Sequence, residues 1–395
     1  MARERRRDKG QGTVFQMANG RWRAQIDAGF TGAGNRRRLT AQGRTRTIAM
    51  DRLRDKIRAF EKGGIDSVKD VDMTFKKWGE MWLEEKAEKI RPSTYSQYER
   101  DLRKYAGTVI GHLKLSEITP LHIRKITKPL RDAGKHSTAR LAQGTVLRCL
   151  KDAKREGHNV NDSIFYVPTP AGGKNTRTAI PVEDAKKLLV TASNLPDKAR
   201  YYLALFYGLR QGEALGLTWS RVDFDAKTIT IDRQLQELVY ENRALETFRL
   251  PVGLQAERLE GRFWLTQPKT KAGMRIAPLL PFMERALLEW MDECPESPHG
   301  LVFPDSTGRP RTKRDDTNAW RTLQDMADVH KGEKYYVLHE ARNTAATLLL
   351  EARVDPFIIT QILGHTTITT SQGYMRAGLE SKRKALECVT KLLGM

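Results

Sequence analysis

The sequence predicts an α+β multidomain protein: a small three-stranded β-sheet plus helix at the N-terminus, an all-α middle part, and a mainly α remainder with a small antiparallel β-sheet. Three observations predict it. At 395 residues the chain exceeds what one ordinary core serves, which implies two or three domains. Apolar residues alternate with a period of two near the start, then recur at three and four through the middle. Gly- and Pro-bearing stretches interrupt the pattern at Lys62-Gly63-Gly64 and around residues 164–178, reading as two linkers. The expected domains are therefore 1–63, 73–165 and 176–395.

The first module reads as strands at Thr13–Gln16, 21–28 and 36–40, separated by Ala18-Asn19-Gly20 and Gly32-Ala33-Gly34-Asn35. Trp22, Ala24 and Ile26 alternate with Arg21, Arg23 and Gln25, giving one apolar and one polar face. After Gly43, the spacing of Ala49, Leu53, Ile57 and Phe60 predicts a helix. The middle part reads as four helices. Thr74 caps one bearing Phe75, Trp78 and Trp82, and Ser93 or Thr94 opens one with Tyr95, Tyr98, Leu102 and Tyr105. Thr119-Pro120 opens a third, and the fourth runs from about Ser137 to Arg155. Helical periodicity makes these aromatics core residues rather than base-stacking platforms. In the last part a helix starts at Pro181, and the strand group is Thr228–Ile231, 262–265 and 275–279.

Charge narrows the function class. Sixty-nine Lys and Arg against 48 Asp and Glu give +21 and an isoelectric point near 9.9. Residues 1–50 alone hold twelve Arg or Lys against Glu4, Asp8 and Asp27, a net of +9. A polyanion is the natural partner, because neutralising phosphates releases condensed counterions. No run of eighteen apolar residues and no basic helix with a lipid-facing side favour a membrane. Nucleic acid is the better match, and a basic sheet can lie in a major groove. The candidate DNA contacts are Arg21, Arg23, Arg36, Arg37 and Arg38 in the first module and Arg91 and Arg124 in the second. The start is basic but lacks a signal peptide's apolar stretch, and Cys149, Cys294 and Cys388 form no CxxC pair. A reducing cytoplasm is the expected setting, with no disulfide framework and no cysteine zinc site.

Four clusters in the last part carry chemistry. In Gly208-Leu209-Arg210-Gln211-Gly212-Glu213, Arg210 and Glu213 stand three apart, a spacing that shares a helix face and lets the carboxylate orient the guanidinium. A hairpin is expected from Trp264 through Pro268-Lys269-Thr270-Lys271-Ala272-Gly273 to Arg275, with a lysine at its tip able to donate a proton. His339 and Arg342, in Leu338-His339-Glu340-Ala341-Arg342, share one side of a helix. Leu363-Gly364-His365 reads as a turn where a helix ends or begins, and Tyr374 follows nine positions after His365. Taken singly, each has a plain structural explanation: a helical ion pair, a surface lysine, a core histidine, a helical tyrosine. Together they spell phosphoryl transfer. Two arginines can clamp the non-bridging oxygens, lysine and histidines can move protons, and a tyrosine can attack once a cationic site activates it. No metal-ligand spacing and no carboxylate cluster are visible, so no metal or other cofactor is expected.

At these residues the sequence resembles the tyrosine recombinase family, and integrases of phages and integrative elements in particular. The resemblance rests on Arg210 within GLRQGEALGL, Glu213, Lys269 within PKTKAGMRIAPL, His339 and Arg342 within HEAR, His365 within LGH, and Tyr374 within SQGYMR. It implies that these seven are the catalytic set, with Tyr374 as nucleophile, and leaves Lys271 as a local competitor of Lys269. Residues 73–163 resemble the family's helical core-binding domain, and residues 11–62 its arm-binding domain. Two features depart from the family pattern: residues 236–260 make a longer segment than expected, and the usual Asn-Pro is Asn161-Asp162 here. The resemblance implies double-stranded attachment-site DNA as substrate, a homotetramer at synapsis, and accessory partners such as a DNA-bending host factor and a directionality factor. It also implies that the tail at 380–393 docks on a neighbouring subunit, against the alternative of packing on its own domain. Competing readings are a Xer-like resolvase, a type IB topoisomerase-like strand transferase, and a non-catalytic DNA-binding protein.

Overall fold

The structure, a computed structural model, describes residues 12–30, 36–68, 73–173, 178–268, 270–364 and 378–394. Of the seven expected catalytic positions, Lys269, His365 and Tyr374 lie outside the described residues, as do the side chains of Arg37 and Lys271. The chain divides into two compact units, Met1–Lys174 and Asn175–Met395.

In the first unit, β1 (Thr13–Gln16), β2 (Trp22–Phe30) and β3 (Arg36–Gly43) form an antiparallel sheet in that order. Strand alternation sends Ala24, Leu39 and Ala41 to one face, where Ala49 and Leu53 of α1 (Arg46–Val68) cover them. The register sets Phe15 opposite Arg23 and Arg23 opposite Gln42 on the other face, which α1 leaves uncovered. α1 departs from expectation at its end. It runs through Lys62-Gly63-Gly64 to Val68 instead of stopping at the glycines. Two glycines cost a helix about 2 kcal/mol relative to alanine, too little to stop one already nucleated and packed.

The helices α2 (Phe75–Ala87), α3 (Pro92–Arg100), α4 (Gly107–Ile110), α5 (Pro120–Asp132) and α6 (His136–Arg155) follow, with a widened π turn at Asp101–Ala106 joining α3 to α4. Thr74 caps α2 by accepting from Lys77 N. α3 starts earlier than Ser93 or Thr94: Pro92 occupies its first turn, where its fixed φ suits a helix, and Arg91 is the cap. Trp78 and Trp82 are core residues, Trp78 Nε1 donating to Cys149 O at 3.0 Å and Trp82 Nε1 to Asp152 Oδ2 at 2.8 Å.

In the second unit α7 (Val182–Ala192), α8 (Lys198–Leu205) and α9 (Gln211–Leu215) precede the strands β4 (Val222–Asp223), β5 (Thr228–Ile231), β6 (Gln234–Glu237), β7 (Tyr240–Asn242), β8 (Thr247–Phe248), β9 (Ala256–Arg258), β10 (Phe263–Thr266) and β11 (Arg275–Pro278). The helices α10 (Pro281–Glu293), α11 (Lys313–Ala327), α12 (Leu338–Glu351), α13 (Pro356–Leu363) and α14 (Leu379–Leu393) complete it around one core.

The expected hairpin around Lys269 does not form. β10 pairs with β6 on one edge and β9 on the other, whereas β11 pairs with β5, Arg275 opposite Ile231. Both edges of β10 are occupied, by β6 and β9, so β10 and β11 lie in different sheets. α14 packs in cis against α12, α13 and β11 through Ala385, Leu386 and Val389, and Lys382 Nζ donates to Ile276 O at 3.0 Å. Among the described residues, no helix is long and apolar enough to cross a membrane.

Candidate active site

The site is built where the chain leaves α8. Gly208 adopts a positive φ of 57°, turning the backbone so that Arg210 is extended and caps α9. Arg210 therefore precedes the helix and does not share a helix face with Glu213; a three-residue spacing fits a capping box equally well. Glu213 Oε2 accepts from Arg210 N at 3.1 Å and Oε1 from Arg210 Nη1 at 2.6 Å. One carboxylate thus fixes both the backbone and the fork of the same arginine. Its Oε2 also accepts from Arg275 Nη2 at 2.9 Å, the cation that opens β11.

Arg342, on the second turn of α12, is 2% exposed and grips two backbone carbonyls, Gly208 O at 2.6 Å and Leu363 O at 2.5 Å. Arg210 Nη2 donates to the next carbonyl, Gly364 O, at 3.2 Å. Both forks hold the C-terminal end of α13, where unsatisfied carbonyls favour cations. Gly364 caps that helix at a φ of 68°, and a Cβ there would lie 2.7 Å from Ala272 O. The turn expected before His365 is thus the end of a helix and not the start of one.

Burial pushes the Glu213 carboxyl up, but Arg275 and Arg210 outweigh it and hold it below the usual carboxylate range. Burial, together with Arg210 and Arg275, draws the Arg342 guanidinium down to about 9. Arg210 and Arg275 thus share one carboxylate with Arg342 close by, leaving a surplus of positive charge that an anion would relieve. Arg210, Arg342 and His339 line one cleft of about 970 Å³, together with Gln211, Lys313 and Lys334. His339 is exposed there, in the first turn of α12. The structure therefore brings Arg210, Glu213, His339 and Arg342 together. Among the described residues no group of three or more His, Cys, Asp or Glu could hold a metal ion.

Two supporting networks escape the sequence reading. Glu340 accepts from Val337 N at 2.8 Å, Thr178 N at 3.0 Å and Lys331 Nζ at 2.5 Å, tying the chain before α7 to the helix of His339 and Arg342. Gln211 Nε2 donates to Asp316 Oδ2 at 3.0 Å, and Asp316 accepts both Arg200 Nε at 2.9 Å and Nη2 at 2.7 Å. The only prior signal for either was an acidic residue three places into a helix, at Glu340. The expected DNA contacts are spread over several elements. Arg21, Arg38 and Arg124 are exposed, Arg23 and Arg91 are half-buried, and Arg36 pairs with Asp27 at 2.8 Å.

Residues 179–380, just over half of the chain, match the Phage integrase family, and residues 74–131 match the Phage integrase N-terminal SAM-like domain. This chain belongs to the phage integrase family. Within it, the chain is similar to an integrase of Saccharopolyspora erythraea, 23% identical over 94% of both chains. It is also similar to a tyrosine recombinase XerC-like protein of Caldanaerobacter subterraneus, 26% identical over 79% of this chain and 81% of that one. Among solved structures, the Tn1549 transposon integrase in complex with transposon right end DNA matches with a TM-score of 0.61 at 17% identity, covering 80% of this chain and 99% of that one. A lambda integrase tetramer bound to a Holliday junction matches with a TM-score of 0.57 at 17% identity, covering 92% and 95%. These structures establish the α+β integrase fold. As a phage integrase family member, the protein is a site-specific DNA recombinase of the tyrosine type.

Proposed function

We propose that this phage integrase family member integrates and excises a phage or other mobile element, and that Arg210, Glu213, Lys269, His339, Arg342, His365 and Tyr374 carry its chemistry. The Tyr374 oxygen attacks the scissile phosphorus and the bond from phosphorus to the 5′-oxygen breaks, leaving a 3′-phosphotyrosyl link and a free 5′-hydroxyl. Lys269 and the histidines His339 and His365 supply the leaving oxygen's proton and take the tyrosine's. Arg210 and Arg342 hold the two non-bridging oxygens and stabilise the charge that develops on them, while Glu213 keeps Arg210 in place. The phosphodiester energy stays in the protein link, so a 5′-hydroxyl from the partner duplex reverses the step without ATP. Two rounds pass through a Holliday junction.

The observation that carries this reading is the pairing of Arg210 and Arg342 on the consecutive carbonyls of Gly364 and Leu363, directly before His365, on the wall of one cleft. The test is a nicked suicide duplex bearing the flanking element sequence. A covalent complex mapped to Tyr374, absent in Tyr374→Phe although that variant still binds, is expected; a link to any other residue would overturn it.

The relatives suggest the partners. Tn1549 integrase was solved with transposon DNA and lambda integrase as a tetramer on a Holliday junction; four protomers on double-stranded attachment sites are proposed here. The basic sheet backed by α1 serves as an arm-type DNA-binding domain (1–63), residues 73–165 as the core-binding domain, and residues 176–395 as the catalytic domain. Arg21, Arg23, Arg36, Arg37, Arg38, Arg91 and Arg124 are the proposed DNA contacts. A DNA-bending host factor and a directionality factor complete the expected partners, in the bacterial cytoplasm.

A further inference from the structure

Arg275 is the third arginine of the site and the one set back from the cleft. Its side chain is 4% exposed, and it is not among the residues that line the cleft. Three segments of the catalytic unit meet on it. Nη2 donates to Glu213 Oε2 at 2.9 Å, Nη1 donates to Gly273 O at 3.1 Å, and a Cβ on Gly364 would stand 3.1 Å from Nη1 and 3.3 Å from Cδ. The guanidinium therefore lies against the Arg210–Glu213 cap, the chain at Gly273, and the turn at Gly364. Its Nε is buried and has no hydrogen-bond partner among the described residues.

A fold that needed only stability at this point would gain by an apolar side chain, since a buried ion pair recovers little beyond its desolvation cost and an unsatisfied Nε adds to that cost. The geometry shows what the charge does instead. Glu213 Oε1 holds the fork of Arg210, and Oε2 holds Arg210 N and Arg275 together. Without Arg275, Oε2 keeps one backbone donor, and the carboxylate can rotate about its last torsion. Arg210 would then swing with it. We propose that Arg275 is a positioning residue for strand cleavage, acting through Glu213 to hold the Arg210 guanidinium in the orientation that receives the scissile phosphate. The proposal rests on the roles given above to Arg210 and Glu213.

The experiment compares single-turnover cleavage of the nicked suicide duplex with equilibrium binding of the same duplex, using the full chain. Arg275→Met keeps bulk and removes charge. Cleavage is expected to fall by roughly 10- to 100-fold, the usual effect of losing a supporting group, with binding within about twofold because the contact matters to the transition state. Arg275→Lys should recover part of the loss. In a Glu213→Gln background, adding Arg275→Met should slow cleavage by less than about twofold more, since the two act as one unit. Wild-type cleavage by Arg275→Met, equal losses of cleavage and binding, or full additivity in the double variant would each overturn the proposal. If Arg275→Met does not fold, Arg275→Lys decides: a reduced ratio of cleavage to binding supports the proposal and an unchanged one overturns it. Wild-type cleavage in Arg210→Ala and Glu213→Gln would instead sink the underlying reading of the site.

Discussion

Arg342 Nη2 donates to the carbonyl oxygen of Leu363 at 2.5 Å, so the arginine of α12 is locked to the last residue of α13, two positions before His365. Arg210 takes the following carbonyl, that of Gly364. Donors anchored in this way need no reorganisation when charge develops on a phosphate, which is where such groups have most effect. Arg210→Ala and Arg342→Ala are each expected to slow cleavage by about 10²–10³-fold while leaving duplex binding within a few-fold. Rapid-quench cleavage beside fluorescence anisotropy checks this. Parallel losses in both would mean that the arginines are ordinary phosphate contacts.

Acid should weaken the folded state through Glu213. Its folded pKa is depressed by Arg275 and Arg210 despite burial, so its stabilisation is present above the unfolded value of 4.5 and is lost as pH falls through the folded value. Glu340, held low by Lys331 and two backbone amides against its own burial, adds in the same direction. Glu213→Gln should cost about 3 kcal/mol near neutrality, because it leaves two guanidiniums without their carboxylate. It should also flatten the acid dependence. Thermal melts from neutral pH downward measure both effects, and an unchanged acid slope in Glu213→Gln would refute the assignment.

Gly364→Ala and Gly208→Ala separate two kinds of crowding at positive φ. A Cβ on Gly364 meets a backbone oxygen, Ala272 O, at 2.7 Å; one on Gly208 meets the tip of Leu363, Cδ2, at 2.5 Å. A side-chain tip can move and a backbone carbonyl cannot. Both variants should lose about 1–3 kcal/mol from backbone strain, with Gly364→Ala the worse and the slower in cleavage. Comparable melting temperatures and rates would contradict the close approach at Gly364.

Lys269 and Lys271 can be told apart by chemistry. A 5′-phosphorothiolate at the scissile position leaves as a thiolate, which needs no proton. The substitution that removes the general acid should therefore cleave this substrate far faster, relative to wild type, than the ordinary one. Lys269→Ala is expected to be rescued and Lys271→Ala not; the opposite pattern would transfer the role.

The course of α1 sharpens a truncation test. A cut after residue 62 would sever the helix, which continues to Val68. Removal of residues 1–72 should abolish integrative exchange and spare cleavage of an isolated core site. Binding of the full chain should weaken steeply with salt. Unimpaired integration by the truncated protein would end the arm-binding assignment.

Local signals were legible in the sequence. The alternation of Trp22, Ala24 and Ile26, the Thr74 cap and the turn at Gly364 each depend on residues within a few positions, and the structure has them where spacing puts them. What escaped was long-range. The turn-like run from Lys269 to Gly273 suggests a hairpin until β6 and β9 compete for β10, and nothing local records that competition. Arg275 carries no signal of its role in the sequence, because its partner Glu213 is 62 residues away. Arg210 was misplaced for a subtler reason: three-residue spacing describes a helix face and a capping box alike, and only the turn at Gly208 decides between them.

The segment from Arg233 to Arg262 holds five arginines and five glutamates in a chain of net charge +21. Four of those arginines are matched within it, Arg233 to Glu257, Arg249 to Glu241, Arg258 to Glu246 and Arg262 to Glu237. At its tip, between β7 and β8, Leu245 is 71% exposed and Glu246 takes a positive φ of 48°. The tip of this neutral segment is a natural attachment point for a fluorophore or a tether, because a graft on the exposed Leu245 leaves unchanged the charge that draws in a polyanion. The protein thus carries its own handle for watching assembly on DNA one molecule at a time.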